Sequence, residues 1–252
     1  MEAIDSPLVI GGTGGSGTRV VTQIVFRAGR YMGARVNNSL DARPFARFDW
    51  RWGLRYLQRR FGEWTPEFEA ELVRAHDEAV QRHLAAAGGD PVAWGWKHPH
   101  SYLMLPFLHQ RHPGLRFLHM VRDGRDMAFS ENQYQAERYG PTALGARWAG
   151  PEPVRSAAYW AWGNTLAADD GQELGEKYLC VRFEDLCADP VPTVRRLLGF
   201  AVPDADVDRF MEGSLRDISP PASLGRWRDA PPEEVAAITE AAGPALARFG
   251  YV

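Results

Sequence analysis

A short apolar run at 7–10, Pro-Leu-Val-Ile, ends in glycines and reads as a buried strand. Behind it, Val20, Val21, Ile24 and Val25 recur at helical spacing across 18–32, so the chain opens as strand, glycine loop and helix. Residues 33–64 are rich in aromatics and arginine, with Phe45, Phe48, Trp50 and Trp52. Thr65-Pro66-Glu67 marks a helix start: a capping hydroxyl, proline in the first turn and an acid at the positive end of the dipole. That helix should run to about Ala87, where Gly88-Gly89 stops it. Val92–Lys97 reads as a second strand, Ser101–Gln110 as a helix broken by His112-Pro113-Gly114, and Leu115–Val121 as a third, strongly apolar strand. Helices are expected over Asp123–Glu137 and Val154–Leu174, a fourth strand over Tyr178–Phe183, and further helices near 190–199, 204–213 and 232–247.

Apolar strands alternating with helices predict an α/β fold, with a central, mostly parallel sheet flanked by helices and a P-loop-like strand–glycine loop–helix at its start. No linker, internal repeat or low-complexity tract interrupts the 252 residues, so one domain over 1–252 is expected. In such folds ligands bind beyond the carboxyl ends of the strands. The motifs that carry chemistry lie at such ends or in the C-terminal loop.

Composition removes several function classes. With 29 basic and 32 acidic residues, net charge −3, the chain does not read as a nucleic-acid or polybasic membrane binder. No apolar stretch approaches the roughly 20 residues of a bilayer span. Residues 1–7 show neither the charged nor the apolar region of a signal peptide. Cys180 and Cys187 match no metal spacing, and a reducing, cytoplasmic setting is expected. Only Lys97 and Lys177 are lysine; the other basic residues are arginine, a bias of the kind codon usage produces.

The loop Gly11-Gly12-Thr13-Gly14-Gly15-Ser16-Gly17-Thr18-Arg19 joins strand to helix, the geometry that presents backbone amides to a phosphate-like anion. A Walker A reading fails, because Thr18 stands where lysine is required and Arg19 where the metal-binding hydroxyl belongs. A dinucleotide reading fits Gly12, Gly14 and Gly17 and would use Asp41 as its ribose-binding acid. It makes an NAD(P)-dependent oxidoreductase the alternative. A third pattern lies downstream. Arg122 ends the third strand and Ser130 follows eight residues later on the expected helix, a pair able to grip a second phosphate.

At this point the chain resembles the sulfotransferases that use 3′-phosphoadenosine 5′-phosphosulfate (PAPS). Gly14-Gly15-Ser16-Gly17-Thr18 is similar to the family's 5′-phosphosulfate loop, and Arg122 with Ser130 to its 3′-phosphate motif. Val181-Arg182-Phe183-Glu184-Asp185-Leu186 resembles its Tyr-Glu-Asp segment, with Phe183 at the aromatic near the adenine. Ser223-Leu224-Gly225-Arg226-Trp227 resembles its C-terminal loop, which places Gly225, Arg226 and Trp227 over the 3′-phosphate and adenine. The resemblance implies an α/β sulfotransferase with PAPS as donor, PAP as product and no required metal.

One position departs. The family carries Lys or Arg just before the loop's hydroxyl residue, and here Gly15 stands there. Either activity is lost, leaving a phosphonucleotide-binding module, or another cation serves. Arg19 is adjacent. Lys97 ends the second strand, where the family also has a lysine, and Pro106 keeps the family's spacing after it. Lys97 is expected to meet the charge that develops on the transferring sulfuryl group. The general base is expected to be Asp41, on the segment returning over the loop, or His98 beside the strand end. The acceptor, a small-molecule, carbohydrate or lipid hydroxyl, should be read by residues 33–64 and 138–153. The oligomeric state is open.

Overall fold

Four apolar runs become β1 (Leu8–Gly12), β2 (Gly95–Lys97), β3 (Arg116–Val121) and β4 (Tyr178–Arg182). The computed structural model describes residues 6–89 and 93–252; Val92 and most of the segment read for a leader lie outside it. The sheet is parallel throughout, in the order β2-β1-β3-β4, with Ile10 opposite both Lys97 and Leu118 and Gly12 opposite Met120. β1 is buried along its whole length, as a central strand covered on both faces must be.

The helices are α1 (Thr18–Arg27), α2 (Arg43–Arg60), α3 (Pro66–Leu84), α4 (Leu105–Arg111), α5 (Gly124–Ala128) and α6 (Tyr134–Leu144). Then come α7 (Glu152–Gln172), α8 (Phe183–Ala188), α9 (Pro190–Ala201), α10 (Asp208–Arg216) and α11 (Pro232–Arg248). On one face of the sheet Ile10, Leu118 and Val181 pack against α1 and α9 through Ile24 and Leu197. On the other, Val9, Trp96 and Phe117 meet aromatics of α2 and α3, and Phe45 stacks on Trp96 at 4.0 Å between ring centroids. Ordered aromatic pairs of this kind add to burial and fix the angle at which α2 lies on the sheet.

Several expectations change. The aromatic, arginine-rich stretch contains α2, whose buried residues Phe45, Phe48, Trp52 and Tyr56 follow a helical period. The single helix expected over 123–137 is two: Gln133 Nε2 donates to the carbonyls of Met127, Ala128 and Ser130, which stabilises a bend between α5 and α6. Ser130 therefore sits in the bend, not on a helix. Phe183 opens α8 instead of closing β4, and α10 starts later than expected, at Asp208.

Two buried imidazoles brace the sheet. His83 Nε2 donates to Gly95 O at 2.9 Å, and His119 joins Asn164 and Tyr178. Burial pushes both down from 6.5 to about 4. The unfolded chain takes up these protons below about pH 6.5, the folded chain only near pH 4. Their stabilising contribution is thus full above 6.5 and lost as pH falls toward 4. Thermal melts should show a lower melting temperature at pH 5 than at pH 7.5, with a loss on the order of 2 kcal/mol per imidazole. An equal or higher value at pH 5 would contradict this.

Candidate functional site

A parallel sheet ordered 2-1-3-4 reverses its winding beside β1 and β3, and a crevice opens there beyond the carboxyl ends. Each strand delivers a group to that edge: the glycine loop after β1, Lys97 at the end of β2, Arg122 after β3 and Phe183 after β4.

The glycine loop is shaped for an anion. Gly17 is the N-cap of α1 in the left-handed region (φ 91°), and no side chain caps the helix, so its first-turn amides lack intrahelical acceptors. A Cβ on Gly17 would run into the Phe183 ring, which seats directly beneath the loop. Gly15 is also left-handed (φ 97°), a conformation a side-chain-bearing residue rarely adopts. The Ser16 hydroxyl is fully buried, makes no hydrogen bond among the described residues and does not border the crevice. Gln135 pins the loop from α6, accepting from Gly14 N at 3.0 Å.

Cations ring the crevice. Lys97 is buried, and its ammonium donates to Asp41 Oδ1 at 2.6 Å and to Ser39 O at 2.9 Å. Burial lowers its pKa, Asp41 opposes that shift, and the positive charge of Arg19 adds to it. Arg19 is exposed on the rim. Arg122 is buried, bonded to Asp126 at 3.0 Å and to the Ser223 carbonyl at 2.5 Å. Arg226 donates to Phe129 O at 2.9 Å.

Asp126 draws the C-terminal loop onto the crevice. Besides Arg122 it accepts from Gly225 N at 2.7 Å and from Trp227 N at 3.3 Å. It is not paired with its neighbour Arg125, which forks onto Asp123 and lies 4.0 Å from the Trp227 ring centroid.

Two cavities adjoin. The first, about 550 Å³, is lined from the glycine loop by Gly14, Gly15, Gly17, Thr18 and Arg19. Lys97, Asp41, Arg122, Ser130, Phe183 and Arg226 complete it. Gly225 and Trp227 do not line it; they back the loop that closes it. The second, about 700 Å³, lies between α2 and α6, with Trp50, Tyr134, Tyr159 and Trp160 in its walls. Asp41 is the titratable residue common to both linings, placed there by the short loop before α2 and held by Asn37 Nδ2 at 2.7 Å. His98 lines only the second cavity, with Nδ1 at 2.5 Å from buried Asp49, which also accepts from Ser101 Oγ.

Asp49 and Gln135 carry no sequence signal of their own, and Asp126, which the sequence would pair with Arg125, pairs with Arg122 instead. Only Asp126 left a local signal, four residues after Arg122 in the spacing of a helical ion pair. Residues 33–42 form no strand, so Asp41 does not stand at a strand end as a ribose-binding acid does. Among the described residues no group of three or more His, Cys, Asp or Glu is arranged to hold a metal, and no helix is long and apolar enough to cross a membrane.

The sequence model described as the Sulfotransferase family matches residues 7–204. Among solved structures the chain is similar to sulfotransferase STF9 from Mycobacterium avium, at 14% identity and TM-score 0.57 over 98% of this chain and 78% of that one. It is also similar to sulfotransferase STF1 from Mycobacterium tuberculosis H37Rv, at 16% identity and TM-score 0.52 over 96% and 79%. The sulfotransferase domain of the Synechococcus PCC 7002 olefin synthase matches at 17% identity and TM-score 0.50 over 98% and 94%. At these identities the likeness is one of fold. No curated protein matches the chain.

Proposed function

Because this chain belongs to the sulfotransferase family, we propose that it moves a sulfuryl group from PAPS to a hydroxyl or similar nucleophile of a small acceptor. The observation that carries this reading is the meeting of two cavities at Asp41, which Lys97 holds from the first of them, one ringed by cations and the other walled by aromatics. Both fit a polyanionic donor facing a separate acceptor. The free thiols of Cys180 and Cys187 support a cytoplasmic setting.

In this reading residues 14–19 hold the 5′-phosphosulfate, with the amides at the uncapped start of α1 as donors. Arg122, Ser130 and Arg226 take the 3′-phosphate. Phe183 flanks the adenine. Trp227, outside the cleft, supports the closing loop through Arg125 instead.

PAPS supplies a sulfuryl group whose leaving group is a phosphate. The acceptor oxygen forms the new S–O bond as the old one breaks, and the bonding pair leaves on the phosphate to give PAP. The acceptor's proton passes to Asp41. Asp41 is assigned over His98 because it borders both cavities, whereas His98 borders one and spends Nδ1 on Asp49. Lys97 donates to the sulfuryl or bridging oxygen as charge builds there. Gly15 leaves that task to Lys97, since its left-handed backbone disfavours any side chain.

Transfer of labelled sulfate from PAPS to a mixed panel of phenols, sugars, sterols and hydroxy acids tests the reading. A labelled product is expected. PAP binding without transfer to any member would favour the rival suggested by Gly15, an inactive phosphonucleotide-binding module.

A further inference from the structure

The wall of the second cavity contributed by α2 carries a charge pattern that donor binding does not use. Arg43, Arg47 and Arg51 all line that cavity. They recur every fourth residue and so form one stripe, about 12 Å long at 1.5 Å per residue. Like charges at this spacing repel. Two other arginines of the same helix are compensated, Arg55 by Glu71 and Arg60 by a fork onto Asp170, while Arg59 donates to the Glu63 carbonyl. In α3, Arg82 pairs with Glu78 four residues away.

The three cavity arginines meet no carboxylate among the described residues. Arg43 donates to the carbonyl of Val36, Arg51 lies 5.7 Å from the Trp52 ring centroid, and Arg47 makes no hydrogen bond or ion pair among the described residues. The one carboxylate in the cavity wall, Asp41, is already held by Lys97 and Asn37. The stripe starts two residues from Asp41 and leads away from it, past Trp50 and opposite Tyr134.

Resting on the sulfotransferase reading, we propose that the acceptor is itself an anion: a hydroxy compound whose apolar or aromatic body lies among Trp50, Tyr134 and Tyr159, and whose carboxylate or phosphate meets the arginine stripe. Such a group is bound by charge-assisted, often bidentate, guanidinium contacts. The stripe runs from two to ten residues beyond Asp41, so the hydroxyl and the anion lie at opposite ends of the molecule. The acceptor's charge then selects it from neutral alcohols of the same shape.

Calorimetry on the whole chain, with and without saturating PAP, tests this with matched probes. 3-(4-Hydroxyphenyl)propionate is compared with its neutral amide, and 4-hydroxybenzylphosphonate with its diethyl ester. At least one anionic probe should bind ten-fold or more tightly than its neutral partner, and the phosphonate arm tells a phosphate preference from a carboxylate one. The double variant Arg47→Gln/Arg51→Gln should abolish the preference while PAP affinity stays within about two-fold. Equal binding within both pairs, failure of both anions to bind, or a preference that survives in the double variant would overturn the proposal. Loss of PAP binding by the parent chain would instead count against the donor assignment, which the PAP-free arm separates from this claim.

Discussion

Lys97→Met should lower kcat by about 10²–10³-fold, the usual cost of removing one preorganised donor from a developing oxyanion. Methionine keeps the volume of a buried, unbranched side chain and deletes only the charge. The position earns this weight from its surroundings. Lys97 is 2% exposed, ends the strand beside the glycine loop and lines the cation-ringed cleft. Arg19 is exposed and sits on the first turn of α1, so it does not replace a buried ammonium. Losing Lys97 strands one oxygen of Asp41, but Asp41 is partly exposed and keeps its bond from Asn37, so the fold should survive. Melting temperature and PAP affinity measured on the same preparation separate catalysis from folding. Turnover within about threefold of the parent would show that Lys97 does not carry the charge. The parent also has a predicted alkaline limb: burial lowers the Lys97 pKa, so activity falls as pH rises through that lowered value, below the 10.5 of an ordinary lysine.

Asp41→Asn should cost about 10²–10⁴-fold in kcat, the range for removing a general base, and should erase the acidic limb of the pH–rate profile. Asparagine still bonds Asn37 and Ser39 lies near, so the loop before α2 should keep its shape. His98→Gln is the matched control. His98 is anchored on Asp49 at the floor of the second cavity, and its loss should leave the acidic limb in place. If His98→Gln removes the limb and Asp41→Asn keeps it, the base assignment reverses.

Much of the scaffold was legible because buried parallel strands are written as apolar runs. Leu8–Gly12 and Arg116–Val121 are such runs, and the glycine loop between strand and helix is a local signal. Lys97 was found because it ends one of these strands. The helix α2 was harder to read. Its buried side includes Asp49, and its cavity side alternates arginine with Ala46 and Trp50, so polarity does not separate its faces. The partners of the site were hidden for a different reason. Asp126 reaches Gly225 across 99 residues of chain, Gln135 reaches Gly14 across 121, and His98 finds Asp49 across 49. Local periodicity carries no record of such pairs. They are set by the packing of α5, α6 and α2 around the strand ends.

The charge balance shows the same limit. A net −3 excludes a general polyanion binder, yet four cations converge on a cleft of about 550 Å³. Local potential in a cleft follows the groups that line it, not the sum over the chain.

Isothermal calorimetry of the chain with PAP and with NADP, in the same buffer, tests the central claim most directly. PAP should bind one-to-one at micromolar or lower concentration, and NADP should show no sub-millimolar binding. Sub-millimolar NADP binding with no heat from PAP would contradict the account.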